Sequence, residues 1–124
     1  GGVRLGTAEI YTEVERFKEV KESIVVGQSW DNDVRIILFI VMNTKFYLTE
    51  DLLKKIKFQI KKNASPRHVP SKIIQVKDIP RTKSGKIVEL AVKNILDGNN
   101  IKNKEALANP EALKQFKNLK ELSN

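Results

Sequence analysis

Residues 79–86 read Ile-Pro-Arg-Thr-Lys-Ser-Gly-Lys. Arg81, Lys83 and Lys86 place three cations beside two hydroxyls, a proline and a glycine. This chemistry suits an anion, above all a phosphate. A strand before the stretch and a helix after it would add backbone N–H groups at a helix start, a ready anion site. The complete nucleotide-binding pattern G-x-x-x-x-G-K-[ST] is nevertheless broken twice. Pro80 stands where the first glycine belongs, and Ile87 where the magnesium-binding hydroxyl belongs.

No second group completes an active site. The chain has one histidine, His68, and no cysteine, so disulfides and thiolate metal sites are excluded. Acidic residues do not fall at metal-ligand spacing. No G-x-S-x-G is present, and His68, on a proline-flanked loop, reads as a surface hydrogen-bonding residue. The 79–86 stretch therefore carries charge without a base, a nucleophile or a metal. That suits a cation delivered to a site built elsewhere, where it would neutralise an anionic transition state and then withdraw. Gly85 permits close backbone approach, and Pro80 stiffens the start of the loop.

The elements that must position this loop are legible in outline. The 124 residues, 40% hydrophobic and 31% charged, suffice for one domain with a modest core. No apolar run nears the roughly 20 residues of a membrane span. The longest, 36–42 (IILFIVM), suits a buried strand. Thr7 caps a short helix with Ile10, Val14 and Phe17 on one face. Residues 23–28 and 35–42 read as an antiparallel pair around a polar turn at 29–34. Thr49, Glu50 and Asp51 open a helix with Leu53, Ile56 and Ile60 inward, ending near Lys62. Residues 63–70 are a loop and 72–76 a third strand. A helix after the basic loop carries Ile87, Val88, Ala91 and Ile95 on one face and stops at Gly98. Asn109 and Pro110 form an N-cap and first-turn pair that opens a last short helix with Leu113 and Phe116 inward. The expectation is a small α+β domain, a three-stranded sheet with flanking helices, over 1–98, with a helical extension packed on it over 99–124. The abrupt start at Gly1-Gly2, without a secretory pattern, reads as a fragment of a longer protein or as a scar of recombinant expression, and the lack of cysteine fits a cytoplasmic protein.

Three segments together resemble one family. Residues 80–86 (PRTKSGK) resemble the P-x-x-x-x-G-K motif near the C-terminus of adenylate-forming enzymes: acyl-CoA synthetases, luciferases and peptide-synthetase adenylation domains. Residues 2–11 (GVRLGTAEIY) resemble the family's segment just after its interdomain hinge, and 65–70 (SPRHVP) the loop before its last strand. The three stand in family order and spacing, and the resemblance runs through essentially the whole chain. The tail, 98–119, is similar to the extension of acetyl-CoA and acetoacetyl-CoA synthetases. Residues 67–80 and 88–95 look closer to the acetoacetyl-CoA branch, because the acetyl-CoA branch carries arginines where this chain has Val88 to Val92.

The resemblance implies the mobile C-terminal lid of an ATP-dependent acid–CoA ligase. ATP, Mg²⁺ and the acyl pocket would belong mainly to a large N-terminal domain, this chain's partner. Lys86 would enter the site for adenylation, bridging the charge of the acid carboxylate and the α-phosphate. Gly2, Val3 and Arg4 would line the CoA tunnel after the lid rotates, and Gly85 would let the backbone approach the ligand. Lys61 stands where relatives carry an arginine near the CoA 3′-phosphate; lysine keeps that charge without the bidentate fork, and Arg67 competes for the role. Acetate or another short-chain acid is the alternative substrate. A different class, a basic nucleic-acid-binding module, draws on the net charge of +8. Against it, Trp30, Tyr11 and Tyr47 are not interleaved with cations as a stacking platform would be. The isolated chain is expected to be inactive.

Overall fold

The central strand dictates the architecture. A computed structural model of the chain describes residues 7–30, 32–83, 89–98 and 107–117. Its sheet has the order β1-β2-β3, with β1 Val20–Trp30, β2 Asp33–Met42 and β3 Lys72–Gln75. β1 and β2 run antiparallel, Val25 opposite Leu38 and Gly27 opposite Ile36. β3 joins β2 in parallel, Ile73 opposite Leu38. The IILFIVM run is apolar at every position because β2 is covered on both faces, the pattern expected of a doubly covered strand. Alternate residues feed two separate cores. Ile37, Phe39 and Val41 face Ile24, Val26, Ile74, Val92 and Phe116. Leu38, Ile40 and Met42 face Ile10, Val14, Leu52, Ile56 and Ile60.

Helices α1 (Thr7–Glu15) and α2 (Glu50–Asn63) cover the second face. Thr49 caps α2 as its residue type requires, its hydroxyl accepting from the Leu52 N–H. The buried stripe is Leu52, Ile56 and Ile60, and Leu53 is only half-buried. The expected face is thus corrected by one position, since i, i+4, i+8 keeps the stripe against the sheet. Residues 63–70 hold a 3₁₀ turn at Pro66–His68, fixed by a 2.6 Å bond between Ser65 Oγ and His68 Nδ1.

Helix α3 (Glu89–Leu96) covers the first face, with Ala91 and Val92 buried and Ile95 packed against them. Ile87 and Val88, expected on its inner face, lie outside the described residues. Gly98 closes the helix at φ +78°, the left-handed backbone that favours glycine, and its N–H bonds to the Ile95 carbonyl. The last element among the described residues is a 3₁₀ helix, Pro110–Phe116, whose Leu113 and Phe116 are buried. Phe116 meets Phe39 edge-on, ring centroids 4.8 Å apart.

Both long strands outrun the expected 23–28 and 35–42. The polar turn shrinks from 29–34 to the two positions between Trp30 and Asp33, with Asn32 at φ +60°. Near the hairpin end Asp33 and Val34 are exposed, while buried Gln28 accepts from Arg35 Nε at 2.7 Å.

Candidate functional site

The basic loop leaves the sheet at β3 and crosses the first face back toward β1. Val76 and Ile79 are buried in the same core as Ile24, Phe39 and Val41, which fixes the path of the crossing. Pro80 is buried at its end. Arg81 then swings its guanidinium onto Glu22 of β1, beside the bulge between Val20 and Glu22, with Asp78 3.8 Å away. The hydrogen bond to Glu22, with both neighbouring carboxylates, holds the Arg81 pKa above its ordinary value, against its partial burial. Arg81 is thereby removed from the set of free loop cations that its type suggested. Lys83 is exposed.

The chain returns at Glu89, the first residue of α3, where a second anchor stands. The Tyr11 hydroxyl donates to Glu89 Oε1 at 2.9 Å and accepts from the Val25 N–H at 2.8 Å. Burial pushes the phenol pKa well up, and the Glu89 carboxylate adds to it. Tyr11 and Glu22 both line one cleft of about 240 Å³, together with Glu15 and residues 20–23. The two ends of the loop are therefore pinned at the same cleft, one through Glu22 and one through Tyr11. Lys86 and Gly85 fall between these anchors, and they and Gly2, Val3 and Arg4 lie outside the described residues.

The other two expected contacts among the described residues, Lys61 and Arg67, stand on α2 and the turn after it. Lys61 is exposed in the last turn of α2, and Arg67 is exposed on the following 3₁₀ turn. Both could meet a phosphate in solution. His68 sits with Nε2 3.9 Å from Glu9, beyond hydrogen-bond reach, so Ser65, His68 and Glu9 form a turn fixture and no triad. Among the described residues no group of three His, Cys, Asp or Glu could hold a metal ion, and none of their helices is long and apolar enough to cross a membrane.

Sequence reasoning missed the outer edge of β1. Its odd residues turn N–H and C=O away from β2, and side chains meet them. Tyr11 takes the Val25 N–H, Lys93 Nζ donates to the Gly27 carbonyl at 2.9 Å, and Asp97 accepts from the Ser29 N–H at 2.9 Å. Lys93, on α3, and Asp97, just past its end, also pair with each other at i, i+4. An edge strand left bare would template pairing with another chain; here α1 and α3 cover it. Only the i, i+4 spacing of Lys93 and Asp97 hinted at this.

Residues 9–86 match the model of the AMP-binding enzyme C-terminal domain, and the chain belongs to that family. Over its full length it is 59% identical to an acetoacetyl-coenzyme A synthetase of Rhizobium meliloti, covering 19% of that protein. It is 47% identical to an acetoacetyl-CoA synthetase of Xenopus tropicalis, over 99% of this chain and 18% of the relative. The solved acetoacetyl-CoA synthetase of Streptomyces lividans superposes with a TM-score of 0.83 at 38% identity, over 92% of this chain and 18% of that one. An acyl-CoA synthetase of Brucella canis follows the fold over 75% of this chain, and 17% of its own, at a TM-score of 0.68 and 26% identity. The chain thus spans less than a fifth of the length of these relatives.

Proposed function

We propose that the chain is the mobile C-terminal domain of an AMP-forming acid–CoA ligase that acts on acetoacetate in the cytoplasm. The observation that carries this reading is the 59% identity over all 124 residues to an acetoacetyl-CoA synthetase. In the first half-reaction a carboxylate oxygen of acetoacetate attacks the α-phosphorus of ATP, the bond to the β-phosphate oxygen breaks, and pyrophosphate leaves. In the second, the CoA sulfur attacks the acyl carbon and AMP leaves with the electron pair.

Both partners of the first step are anions, so their approach is repelled unless a cation lies between them. Lys86 supplies it, and Gly85 before it removes side-chain bulk where the backbone nears the phosphates. Glu22–Arg81 and Tyr11–Glu89 support this reading, because they set where the loop begins and ends. Gly2, Val3 and Arg4 form the domain's share of the CoA tunnel, with Lys61 or Arg67 as the cation for the CoA phosphates. Countercharge for the departing pyrophosphate would come from Mg²⁺, which the large N-terminal domain would mainly hold.

The test is acid-dependent pyrophosphate release by the full-length protein with acetoacetate, acetate and longer acids. Acetoacetate is expected to give the highest kcat/KM. A preference for acetate or a longer acid overturns the substrate assignment, and no release with any acid overturns the reaction class.

A further inference from the structure

Segment 77–82 has left the sheet, yet its backbone groups are paired almost residue by residue. The partner is the 107–117 segment, and two side-chain amides make most of the bonds. Gln115 Oε1 accepts from the Lys77 N–H at 2.7 Å, while its Nε2 donates to the Asp78 carbonyl at 2.6 Å. Asn109 Oδ1 accepts from the Arg81 N–H at 2.8 Å, while its Nδ2 donates to the Ile79 carbonyl at 2.9 Å and to Asp78 Oδ2 at 2.8 Å. The Ala108 N–H closes on the Arg81 carbonyl at 2.8 Å, and Thr82 bridges to Leu107. An amide offers a donor and an acceptor in one plane, as a peptide unit does. Asn109 and Gln115 thus act as two detached peptide groups of a missing neighbour strand. Asn109 was expected to cap the last helix, but its side chain makes no such bond; it is turned to segment 77–82 instead.

We infer that Asn109 and Gln115 are positioning residues for adenylation: the 107–117 segment is a clamp that fixes the direction in which the chain leaves Arg81 toward the basic loop. The inference rests on the proposed role of Lys86 in that half-reaction. Leu113 and Phe116 seat the 107–117 segment on the core. The paired amides fix a polar backbone to within hydrogen-bond tolerance, the precision a catalytic cation needs.

The test uses the full-length enzyme with Asn109→Ala, Gln115→Ala and Asn109→Asp, assayed in the two half-reactions separately. With Asn109→Ala, acetoacetate-dependent ATP–pyrophosphate exchange is expected to fall roughly ten- to a hundredfold in kcat, while thioester formation from supplied acetoacetyl-adenylate stays within about twofold. Asn109→Asp keeps the acceptor for Arg81 but sets a carboxylate against the Ile79 carbonyl and Asp78, so it is expected to fail as Asn109→Ala does. Gln115→Ala serves if the Asn109 variants do not fold, and is expected to show the same split. Equal loss in both half-reactions, or no loss in either, overturns the clamp. Lys86→Ala in the same assay separates the two ideas: if it leaves adenylation intact, the lysine assignment has failed, whatever the amide variants do.

Discussion

Replacing Tyr11 with phenylalanine isolates the anchor at the far end of the loop. The ring and its packing stay, and one oxygen goes. The Val25 N–H, on a residue only 1% exposed, loses its acceptor, and Glu89 loses its donor. An unpaired buried donor costs about 1–3 kcal/mol. For a chain of 124 residues a loss near 2 kcal/mol lowers Tm by roughly 6–12 °C. Urea unfolding of the chain and its Tyr11→Phe variant at pH 7 reads this gap directly. The gap also has a pH signature. Burial first, and Glu89 second, raise the phenol pKa in the folded state, whereas the unfolded phenol titrates near about 10. The hydroxyl's stabilisation is therefore whole below about pH 10 and is lost as pH climbs toward the raised folded value. Linkage limits the slope to about 1.4 kcal/mol per pH unit, and partial exposure of the ring lowers it further. Subtracting the variant cancels the lysines that titrate in the same range. A gap that is absent at pH 7, or that stays constant from pH 9 to 11, refutes the reasoning.

Asp97→Asn tests the other end of the covered edge. Burial alone would raise the Asp97 pKa, but the bonds from Lys93 and from the Ser29 N–H outweigh it and hold the carboxyl below its ordinary value. Its stabilisation is present above the ordinary carboxylate pKa of about 3.9 and lost as pH falls through the lower folded value, so acid unfolding curves of wild type and variant are expected to converge below about pH 4. Gly27→Ala puts a Cβ 2.8 Å from Val34 Cγ1. Because valine is stiff at χ1, a cost of about 1–2 kcal/mol is expected, and adding Val34→Ala should recover most of it in thermal unfolding; no recovery places the strain elsewhere.

How much of this was legible in the sequence depends on how far apart the interacting residues lie. β2 was readable because its two-faced burial leaves a continuous apolar run, and α2 because Thr49 and its acidic first turn announce a start. Gly98 marked its helix end through a backbone angle that few other residues adopt. The hydrogen-bonded anchors were not readable. Tyr11 and Glu89 are 78 positions apart, Ser29 and Asp97 68, Lys77 and Gln115 38. Nothing local distinguishes these polar residues from solvated ones. Arg81 shows the consequence: by type and position it counts as a phosphate-facing cation, yet Glu22 of β1 holds it. Asn109 beside Pro110 was likewise read from local rules as a helix cap, and the long-range partner won.

The central claim is that Lys86 of this domain supplies the cation of the adenylation step and takes no part in the thioester step. The most direct measurement is acetoacetate-dependent ATP–pyrophosphate exchange by the full-length protein, wild type against Lys86→Ala, alongside thioester formation from supplied acetoacetyl-adenylate. The account predicts exchange reduced by roughly a hundredfold or more and thioester formation nearly unchanged. Undiminished exchange in the variant, or equal loss in both steps, would contradict it.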